Sequence, residues 1–420
     1  MRLANVPLVA LNLVNLAARR LARQWRGFDR AAQRVGRQAQ RLQEQAVHTV
    51  NLRSMASSLR ATSERMQRRA ARFQEHVVAP WRVERTVTRA LARVAAGRGP
   101  IVVGPWTSEV GYEALYWIPF LHWFVDRYAI PSSRVVAISR GGVEAWYRGI
   151  ADRYVEVFDL MDAAAFSAHT AARRASGDQK QIVLSAFEQD IVREACARVG
   201  LPGAQVCHPG LMYRLFRSFW HDDRALDYLF RHTRYDRVRL KGVVQPPPGL
   251  PAEYAAIKFY TGPALSDSAE TRQALRAIIE RIAARMPLVV LDTGLDVDEH
   301  RDVLFDGVPG VIALPALREP TSNLGLQTSV IAGARLFVGT CGGLAWLAPL
   351  LGVDTLAIYE DDRYLATHLY AARHAYRRTG AARFITMDVH ALRRLDLHAR
   401  GTVADLVQCR APLYGAPGGP

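Results

Sequence analysis

The sequence predicts an α/β protein in which a helical, arginine-rich extension precedes two Rossmann-like domains. Strands alternate with helices in two separate series, and this alternation is typical of parallel βαβ units. The composition changes at Gly97-Arg98-Gly99-Pro100, and Pro246-Pro247-Pro248 marks a linker between the two series. We place the extension at residues 1–98, the first α/β domain at 99–245, the second at 252–385 and a C-terminal helix and tail at 386–420.

Length and composition support folded domains. A chain of 420 residues is long for one core, which favours two domains and an appendage. Half of the residues are hydrophobic and 22% are charged, which argues against a disordered chain. No stretch of 18 apolar residues occurs, so no membrane-spanning helix is expected. The four scattered cysteines have neither zinc-ligand nor disulfide-framework spacing, which fits a cytoplasmic protein without a metal or cofactor.

The positive charge is concentrated in the extension. Residues 1–98 hold 20 arginines, no lysine and five acidic residues, so they carry +15 of the chain's +16. The remaining residues are nearly neutral. This distribution argues against a basic groove across the folded domains, and we expect no nucleic-acid partner.

The start of the extension is amphipathic. Apolar residues recur at helical spacing and are followed by Arg19, Arg20, Arg23 and Arg26 with no acidic residue before Asp29. Such a helix can lie in an anionic membrane surface. The alternative is a helix that packs on the body or on a protein partner. An organelle-targeting peptide is a third interpretation.

The two predicted α/β series differ in length. The first has strands at 101–104, 134–139 and 154–158, a possible fourth strand at 181–184 and a helix at 112–128. The second has strands at 255–259, 288–291, 311–314, 336–338 and 355–359, with helices at 269–285, 323–333 and 343–351. Ligands of open parallel sheets lie beyond the carboxyl ends of the strands, so a cleft between the domains is expected.

A glycine-rich turn follows the strand at 336–338. In Gly339-Thr340-Cys341-Gly342-Gly343, glycines let the backbone approach a ligand closely, and the following helix presents N–H groups and the positive end of its dipole. A diphosphate fits such a turn. The alternative is a tight β–α turn in which the glycines only satisfy the geometry.

The stretch around this turn resembles a known family. Residues 321–335, the turn and residues 353–359 resemble the donor half of GT-B glycosyltransferases, and look most like the bacterial heptosyltransferase pattern. The stretch departs at Cys341, where that family commonly has Asp or an equivalent polar residue. The resemblance implies a nucleotide-sugar donor bound between two Rossmann-like domains without an obligatory metal.

The loop after the first strand holds the candidate catalytic residues. Sugar transfer needs a base for the acceptor hydroxyl, or groups that stabilise an oxocarbenium-like centre. Glu109 is the first choice and Glu113 the second. The alternative role of Glu113 is that of an acid near a helix start, where it favours the dipole.

Further residues are expected to line the cleft. On the donor side, the sequence indicates Lys258, Tyr260, Thr293, Gly294, Asn323, Gln327, Gly339, Thr340, Cys341, Gly342, Gly343 and Glu360. On the acceptor side, it indicates Trp106, Ser108, Tyr112, Arg140, His208 and Tyr213. The alternatives are a surface lysine at Lys258, core aromatic residues and a solvated acidic turn at Glu360.

The sequence therefore favours a glycosyltransferase that passes a sugar from a nucleotide sugar to an envelope glycan or lipid-linked acceptor. We expect a cytoplasmic protein, with a peripheral position at the inner membrane face as an alternative. Two other functions stay open, a catalytically silent GT-B-like scaffold and a pyruvyl or other group transferase on the same architecture.

Overall fold

A computed structural model describes a large part of the chain. The described residues are 30, 33–38, 40–41, 50–175, 180–201, 203–221, 224–240, 247–292, 301–303, 305, 307–314, 318–363 and 365–389. The predicted helix with Arg19 to Arg26 lies outside them, as do Thr293 and Gly294. The chain divides into two compact units, one of residues 1–89 with 214–225 and one of residues 90–213 with 226–420.

The first unit is helical where it is described. Helix α1 (Val50–Phe73) continues through a π-helical turn (Gln74–Val78) into α2 (Ala79–Ala96), which begins in this unit. Helix formation fits the high Ala, Arg and Gln content of this stretch. Among the described residues, no helix is long and apolar enough to cross a bilayer.

The second unit contains both α/β series. In its described part, four parallel strands form the first sheet in the order β3-β2-β1-β4. The strands are β1 (Ile101–Val103), β2 (Val135–Ser139), β3 (Arg153–Glu156) and β4 (Gln205–Cys207). Val102 on the central strand lies opposite Val136 and Val206. Burial of β1 and β2 along their whole length explains why they are continuous apolar runs in the sequence.

Helices follow the strands of this first sheet. They are α3 (Val110–Tyr112), α4 (Ile118–Arg127), α5 (Ala163–Ala175), α6 (Ala186–Arg198), α7 (Pro209–Trp220) and α8 (Leu226–Phe230). A π-helical turn (Glu113–Trp117) joins α3 to α4.

The expected fourth strand at 181–184 is wrong. The Gln181 side chain is buried and bonds to backbone and side-chain groups, while Ser185 caps α6 through a capping box with Glu188. The fourth strand of the sheet is β4, which has only three residues.

The second sheet is larger. Six parallel strands among the described residues have the order β12-β11-β10-β5-β7-β9. They are β5 (Ala255–Lys258), β7 (Leu288–Val290), β9 (Val311–Ala313), β10 (Leu336–Thr340), β11 (Asp354–Tyr359) and β12 (Phe384–Asp388). Strands β6 (Tyr260–Thr261) and β8 (Arg301–Asp302) form a separate antiparallel pair. The helices are α9 (Ala269–Ala283), α10 (Asn323–Gly333), α11 (Gly343–Leu347) and α12 (Ala366–Thr379).

The end of the second sheet differs from the expectation. Phe384–Asp388 pairs in parallel with β11, so residues 386–388 belong to a strand and not to a C-terminal helix. Strand β12 is an edge strand of intermediate burial, and this gives it a weaker apolar pattern than the inner strands have. Residues 390–420 lie outside the described chain.

Both sheets have a topological switch point. Taken in chain order, the six strands of the second sheet are arranged 3-2-1-4-5-6, the order of a doubly wound nucleotide-binding fold, with the switch between β5 and β10. In the first sheet the corresponding switch lies between β1 and β4. These orders confirm the predicted α/β class with two Rossmann-like sheets.

Candidate functional site

The segments that follow the two switch points touch each other. Gly111 lies in α3, after β1, and a Cβ atom on this residue would come within 3.0 Å of the Gly343 amide nitrogen, at the start of α11 after β10. The same Cβ would come within 3.0 Å of the Trp346 ring. The absence of a side chain at position 111 thus lets the backbone of the segment after β1 approach the backbone of the segment after β10.

The predicted glycine turn lies at this junction. Gly342 has a φ of 148°, a conformation that side-chain-bearing residues rarely adopt. The Tyr260 hydroxyl lies over it, 2.6 Å from where a Cβ of Gly342 would be. Because Gly342 and Gly343 are half-buried beneath Tyr260 and Gly111, their glycine identity also serves the packing of the junction.

The other residues of the turn contact neighbouring strands or are buried. The Thr340 hydroxyl accepts from the Tyr260 amide and donates to the Tyr260 carbonyl, each at 2.9 Å. Gly339 passes close to the Lys258 carbonyl on the neighbouring strand. Cys341 is buried, which raises the pKa of its thiol to about 12 and leaves it uncharged.

Glu109 is the acidic group that the junction leaves accessible. It precedes α3, and its side chain is 50% exposed. Its carboxylate accepts a hydrogen bond from Lys180 at 2.8 Å. The Lys180 ammonium also lies 3.7 Å from the centroid of the Tyr112 ring, a cation–π contact that holds the lysine over α3.

His368 lies on α12, which follows the second sheet, and contacts two tyrosines near Glu109. Its Nε2 lies 3.1 Å from the Tyr112 hydroxyl and its Nδ1 2.6 Å from the Tyr116 hydroxyl. Burial, with the nearby Lys180 charge, lowers the pKa of His368 to about 4. The imidazole is therefore neutral at physiological pH and takes part in hydrogen bonding at both ring nitrogens. We call Glu109, Lys180, Tyr112, Tyr116 and His368 the junction cluster.

Glu113 lies in a different environment from Glu109. It begins the π-helical turn and is fully buried, and its Oε1 accepts hydrogen bonds from Ser139 and Tyr147, each at 2.6 Å. No described residue hydrogen-bonds to its Oε2. Burial raises the pKa of Glu113 to about 7, although the two hydroxyls and Arg140 lower it. An acceptor sugar does not reach this carboxyl group in the conformation described.

The predicted acceptor-side residues are mostly buried. Trp106 is in the core, stacked on Trp117 and Tyr213. The Tyr213 hydroxyl donates to the Ser108 hydroxyl at 3.1 Å, so the two residues fix each other.

His208 and Arg140 hold the loop after β1 in place. His208 faces Glu188 at 3.5 Å and accepts a hydrogen bond from the Gly210 amide. Burial would raise the pKa of Glu188, but the neighbouring His208 and hydrogen bonds from the Ser185 amide and the Gln181 side chain lower it to about 2. Arg140 donates to the Ser108 carbonyl at 3.1 Å. Of the six predicted acceptor-side residues, Tyr112 therefore contributes to the junction cluster.

A second contact between the two α/β series involves Asn323. The turn Gly141-Gly142 after β2 approaches the start of α10, and the Gly325 amide donates to the Gly141 carbonyl at 2.8 Å. A Cβ on Gly141 would lie 2.6 Å from the Asn323 Oδ1. The amide oxygens of the buried Asn323 and Gln327 accept no hydrogen bond from the described residues.

Glu156 occupies the backbone cradle of that turn. Its carboxylate accepts hydrogen bonds from the amides of Gly141, at 2.9 Å, and Gly142, at 2.8 Å. Both glycines have positive φ, so their N–H groups converge as they do in anion-binding nests. An internal carboxylate thus fills a position in which a phosphate would otherwise fit.

Two further donor-side predictions have partners within the protein. Lys258 donates to Asp302 at 2.6 Å and to the Leu291 carbonyl at 2.8 Å, so its charge is already neutralised. It is not a solvated surface lysine either, because its side chain is only 13% exposed. Glu360 accepts a hydrogen bond from the Ser266 amide at 2.8 Å and orders the loop before α9.

Sequence reasoning did not assign Lys180, Tyr116 or His368 to the site. Lys180 is one of three lysines in a chain that otherwise uses arginine, and this rarity is a signal that could have found it. Tyr116 is one turn along the helix from Tyr112, so its position was implied by helical spacing. His368 lies more than 250 residues from both tyrosines, and no local pattern joins them.

The fold and the junction together define a class of protein: two parallel α/β sheets, each with a topological switch point, whose segments after the switch-point strands are in contact. No family model matches the chain, and no curated protein matches it.

Solved structures provide distant likenesses. The chain is similar to the iron-containing dodecameric glycosyltransferase TibC of enterotoxigenic E. coli, with 13% identity over 62% of this chain and a TM-score of 0.35. It spans 58% of the length of TibC. It is also similar to E. coli ADP-heptose LPS heptosyltransferase II, with 12% identity over 62% of this chain and 85% of that chain and a TM-score of 0.31. A third structure, UDP-GlcNAc 2-epimerase of Neisseria meningitidis bound to UDP-GlcNAc, has 11% identity over 70% of this chain and 88% of that chain and a TM-score of 0.34. The strand orders, and not these likenesses, define the fold class.

Proposed function

We propose that the chain is a glycosyltransferase that uses a nucleotide-sugar donor and acts on an envelope glycan or a lipid-linked acceptor, without a metal ion. The observation that carries this proposal is the meeting of two switch points with an accessible carboxylate, Glu109, between them. In open α/β sheets, ligands bind at such points. The resemblance of the sequence around Gly339–Gly343 to the donor half of GT-B enzymes agrees with it.

In this proposal the junction cluster supplies the chemistry. Glu109 accepts the proton of the acceptor hydroxyl as its oxygen bonds to the anomeric carbon of the donor, while the bond from that carbon to the diphosphate breaks and the nucleoside diphosphate leaves; Lys180 orients the carboxylate. The turn at Gly342 and Gly343 faces the diphosphate of the donor after a small opening of the junction. The amide oxygens of Asn323 and Gln327 accept no hydrogen bond from the part of the chain that the structure describes, and they suit hydroxyl groups of a sugar or ribose.

A scaffold without catalytic activity is the second candidate. It is favoured by the number of predicted ligand groups that already have internal partners, notably Lys258 with Asp302 and the Gly141-Gly142 amides with Glu156. A protein that has lost its substrate would be expected to fill its site in this way.

A nucleotide screen separates the two candidates. The wild-type protein is heated with UDP, GDP, ADP or CMP, and the enzyme hypothesis expects a rise in Tm with one of them, because a ligand of the folded state stabilises it. The matching nucleotide sugars are then tested for turnover. Glu109→Gln is expected to lower turnover by about 10²- to 10⁴-fold, while the exposed Glu144→Gln in the same half is expected to leave it unchanged. Absence of any response to the four nucleotides would favour the scaffold.

A further inference from the structure

A basic cavity lies apart from the junction cluster. It measures about 550 Å³ and is lined by parts of both α/β series and by residues 234–239, which connect them. None of the described residues that line it belongs to the junction cluster. Its volume is in the range of small-molecule sites, which hold roughly 300–1,000 Å³.

The charge of this cavity is strongly one-sided. Among its described lining residues, Asp236 is the one acidic group and faces five guanidinium groups. The five are Arg148, Arg234, Arg237, Arg239 and Arg378. Asp236 pairs with Arg234 at 2.8 Å, and Arg234 also contacts Asp126. The Arg378 guanidinium lies 3.9 Å from the centroid of the Phe230 ring. Burial lowers the pKa of the neighbouring His122 to about 4, so this residue adds no charge at neutral pH.

Residues 234–239, which carry three of these arginines, form hydrogen bonds to both α/β series. The Arg234 amide donates to the Pro119 carbonyl at 2.8 Å, and the Val238 amide donates to the Leu350 carbonyl at 3.1 Å. The Tyr235 hydroxyl donates to the Leu115 carbonyl at 2.9 Å. Because the segment is fixed at three points, Arg237 and Arg239 start from a fixed backbone.

The remainder of the lining is apolar. Ile118, Trp146, Leu347 and Leu350 belong to it, with Trp146 fixed by a hydrogen bond to Thr328 at 3.1 Å. A guanidinium group matches two phosphate oxygens at once and is more weakly hydrated than an ammonium group. The cavity therefore combines a surface for a multivalent phosphate with an apolar surface for a ring.

We propose that this cavity binds a diphosphate group, either as free pyrophosphate or as part of a nucleoside diphosphate. Arg148 and Arg378 come from the two α/β series and Arg237 and Arg239 from the segment between them, so three parts of the chain contribute arginines to one cavity. The site is separate from the junction cluster and does not depend on the proposed transfer reaction.

The experiment is calorimetric titration of the full chain with inorganic pyrophosphate, UDP and uridine. The double variant R237S/R239S removes two exposed arginines of the cavity, and R276S/R377S removes two exposed arginines elsewhere. We expect pyrophosphate to bind the wild type and the control alike, and the cavity variant at least about tenfold more weakly, since hydrogen bonds to charged groups are the stronger ones and two guanidinium groups are lost. If UDP binds more tightly than pyrophosphate, and R237S/R239S weakens both to the same extent, the ligand is a nucleotide. Uridine alone is expected not to bind.

Two results would overturn the proposal. One is no pyrophosphate binding, or binding that is equal in all three proteins. The other is UDP binding that R237S/R239S does not weaken, because this places the nucleotide away from the cavity and leaves the proposed enzyme function intact. If R237S/R239S weakens pyrophosphate binding but the wild type turns over no nucleotide sugar, the cavity site is supported and the proposed enzyme function is not.

Discussion

At the scale of single residues, Glu109 and Glu113 show how burial separates two carboxylates that are neighbours in sequence. Glu109 is half exposed and paired with a lysine, whereas Glu113 is fully buried between two hydroxyls. The candidate base and the buried acid are one helical turn apart. The sequence does not show which of the two is accessible. The packing of Ser139 and Tyr147 around Glu113 makes Glu113 the buried one.

Glu113 is expected to make stability depend on pH. Its pKa is raised from 4.5 to about 7, so the folded state retains its proton more strongly than the unfolded chain does. Its contribution to stability is complete below pH 4.5 and is lost as the pH rises through 7, by about 3 kcal/mol in total. Glu113→Gln keeps an acceptor for both hydroxyls and cannot ionise. Between pH 5 and 8, the melting temperature should therefore fall more steeply with rising pH for the wild type than for this variant.

The control for this experiment is the exposed Glu253→Gln, which should follow the wild type. If Glu113→Gln and the wild type have the same pH slope, the carboxyl group does not titrate in this range in the folded protein.

At the scale of elements, the sequence predicted most of the strands and helices because inner parallel strands are apolar along their whole length. Strands β1, β2, β5 and β10 were predicted from such apolar runs. Strand β4 was missed because three residues after a turn are too short a pattern. The sites were predicted less well, because partners such as Asp302 for Lys258 and Glu156 for Gly141 lie on other elements and depend on the tertiary fold.

The contact of α3 with α11 gives an element-scale prediction. Gly111→Ala is compatible with a helix, so its cost arises from the neighbouring Gly343 amide and Trp346, each 3.0 Å from the new Cβ. We expect a loss of about 1–3 kcal/mol in the free energy of unfolding, because the added methyl group overpacks the junction. Urea denaturation measures this loss.

Gly99→Ala serves as the matched control, since nothing lies within 4 Å of its Cβ position. An unchanged urea midpoint for Gly111→Ala would mean that the two segments separate at little cost in solution.

At the scale of the whole molecule, the charge distribution separates the extension from the body. The arginines of residues 1–98 supply nearly all of the net charge, and the α/β unit holds the switch points and the basic cavity. The fold class followed from the sequence alone, whereas the cavity did not. Its arginines are scattered from Arg148 to Arg378, and no stretch of sequence shows them together.

The extension is expected to bind anionic vesicles through its first arginines. Changing Arg19, Arg20, Arg23 and Arg26 to Gln in the full chain should abolish flotation with phosphatidylserine vesicles at low salt, since each basic residue near the surface contributes about 1 kcal/mol. High salt should have the same effect on the wild type.

A variant with Gln at the exposed Arg198, Arg276, Arg335 and Arg377 has the same net charge and should still float. If the variant without Arg19, Arg20, Arg23 and Arg26 floats as well as this control, these four arginines are not what binds the vesicles.

The imidazole of His368 has one more consequence. A neutral imidazole carries a single ring hydrogen, yet both of its nitrogens face a tyrosine hydroxyl. One tyrosine must therefore donate its proton to the ring while the other accepts the ring's hydrogen, and the tautomer selects which. Exchange between the two tautomers reverses every hydrogen bond from Tyr112 to Tyr116 without moving a heavy atom. The two tyrosines and the histidine thus have two alternative hydrogen-bond arrangements, and a ligand that donates to the Tyr112 hydroxyl or accepts from it would favour one of them.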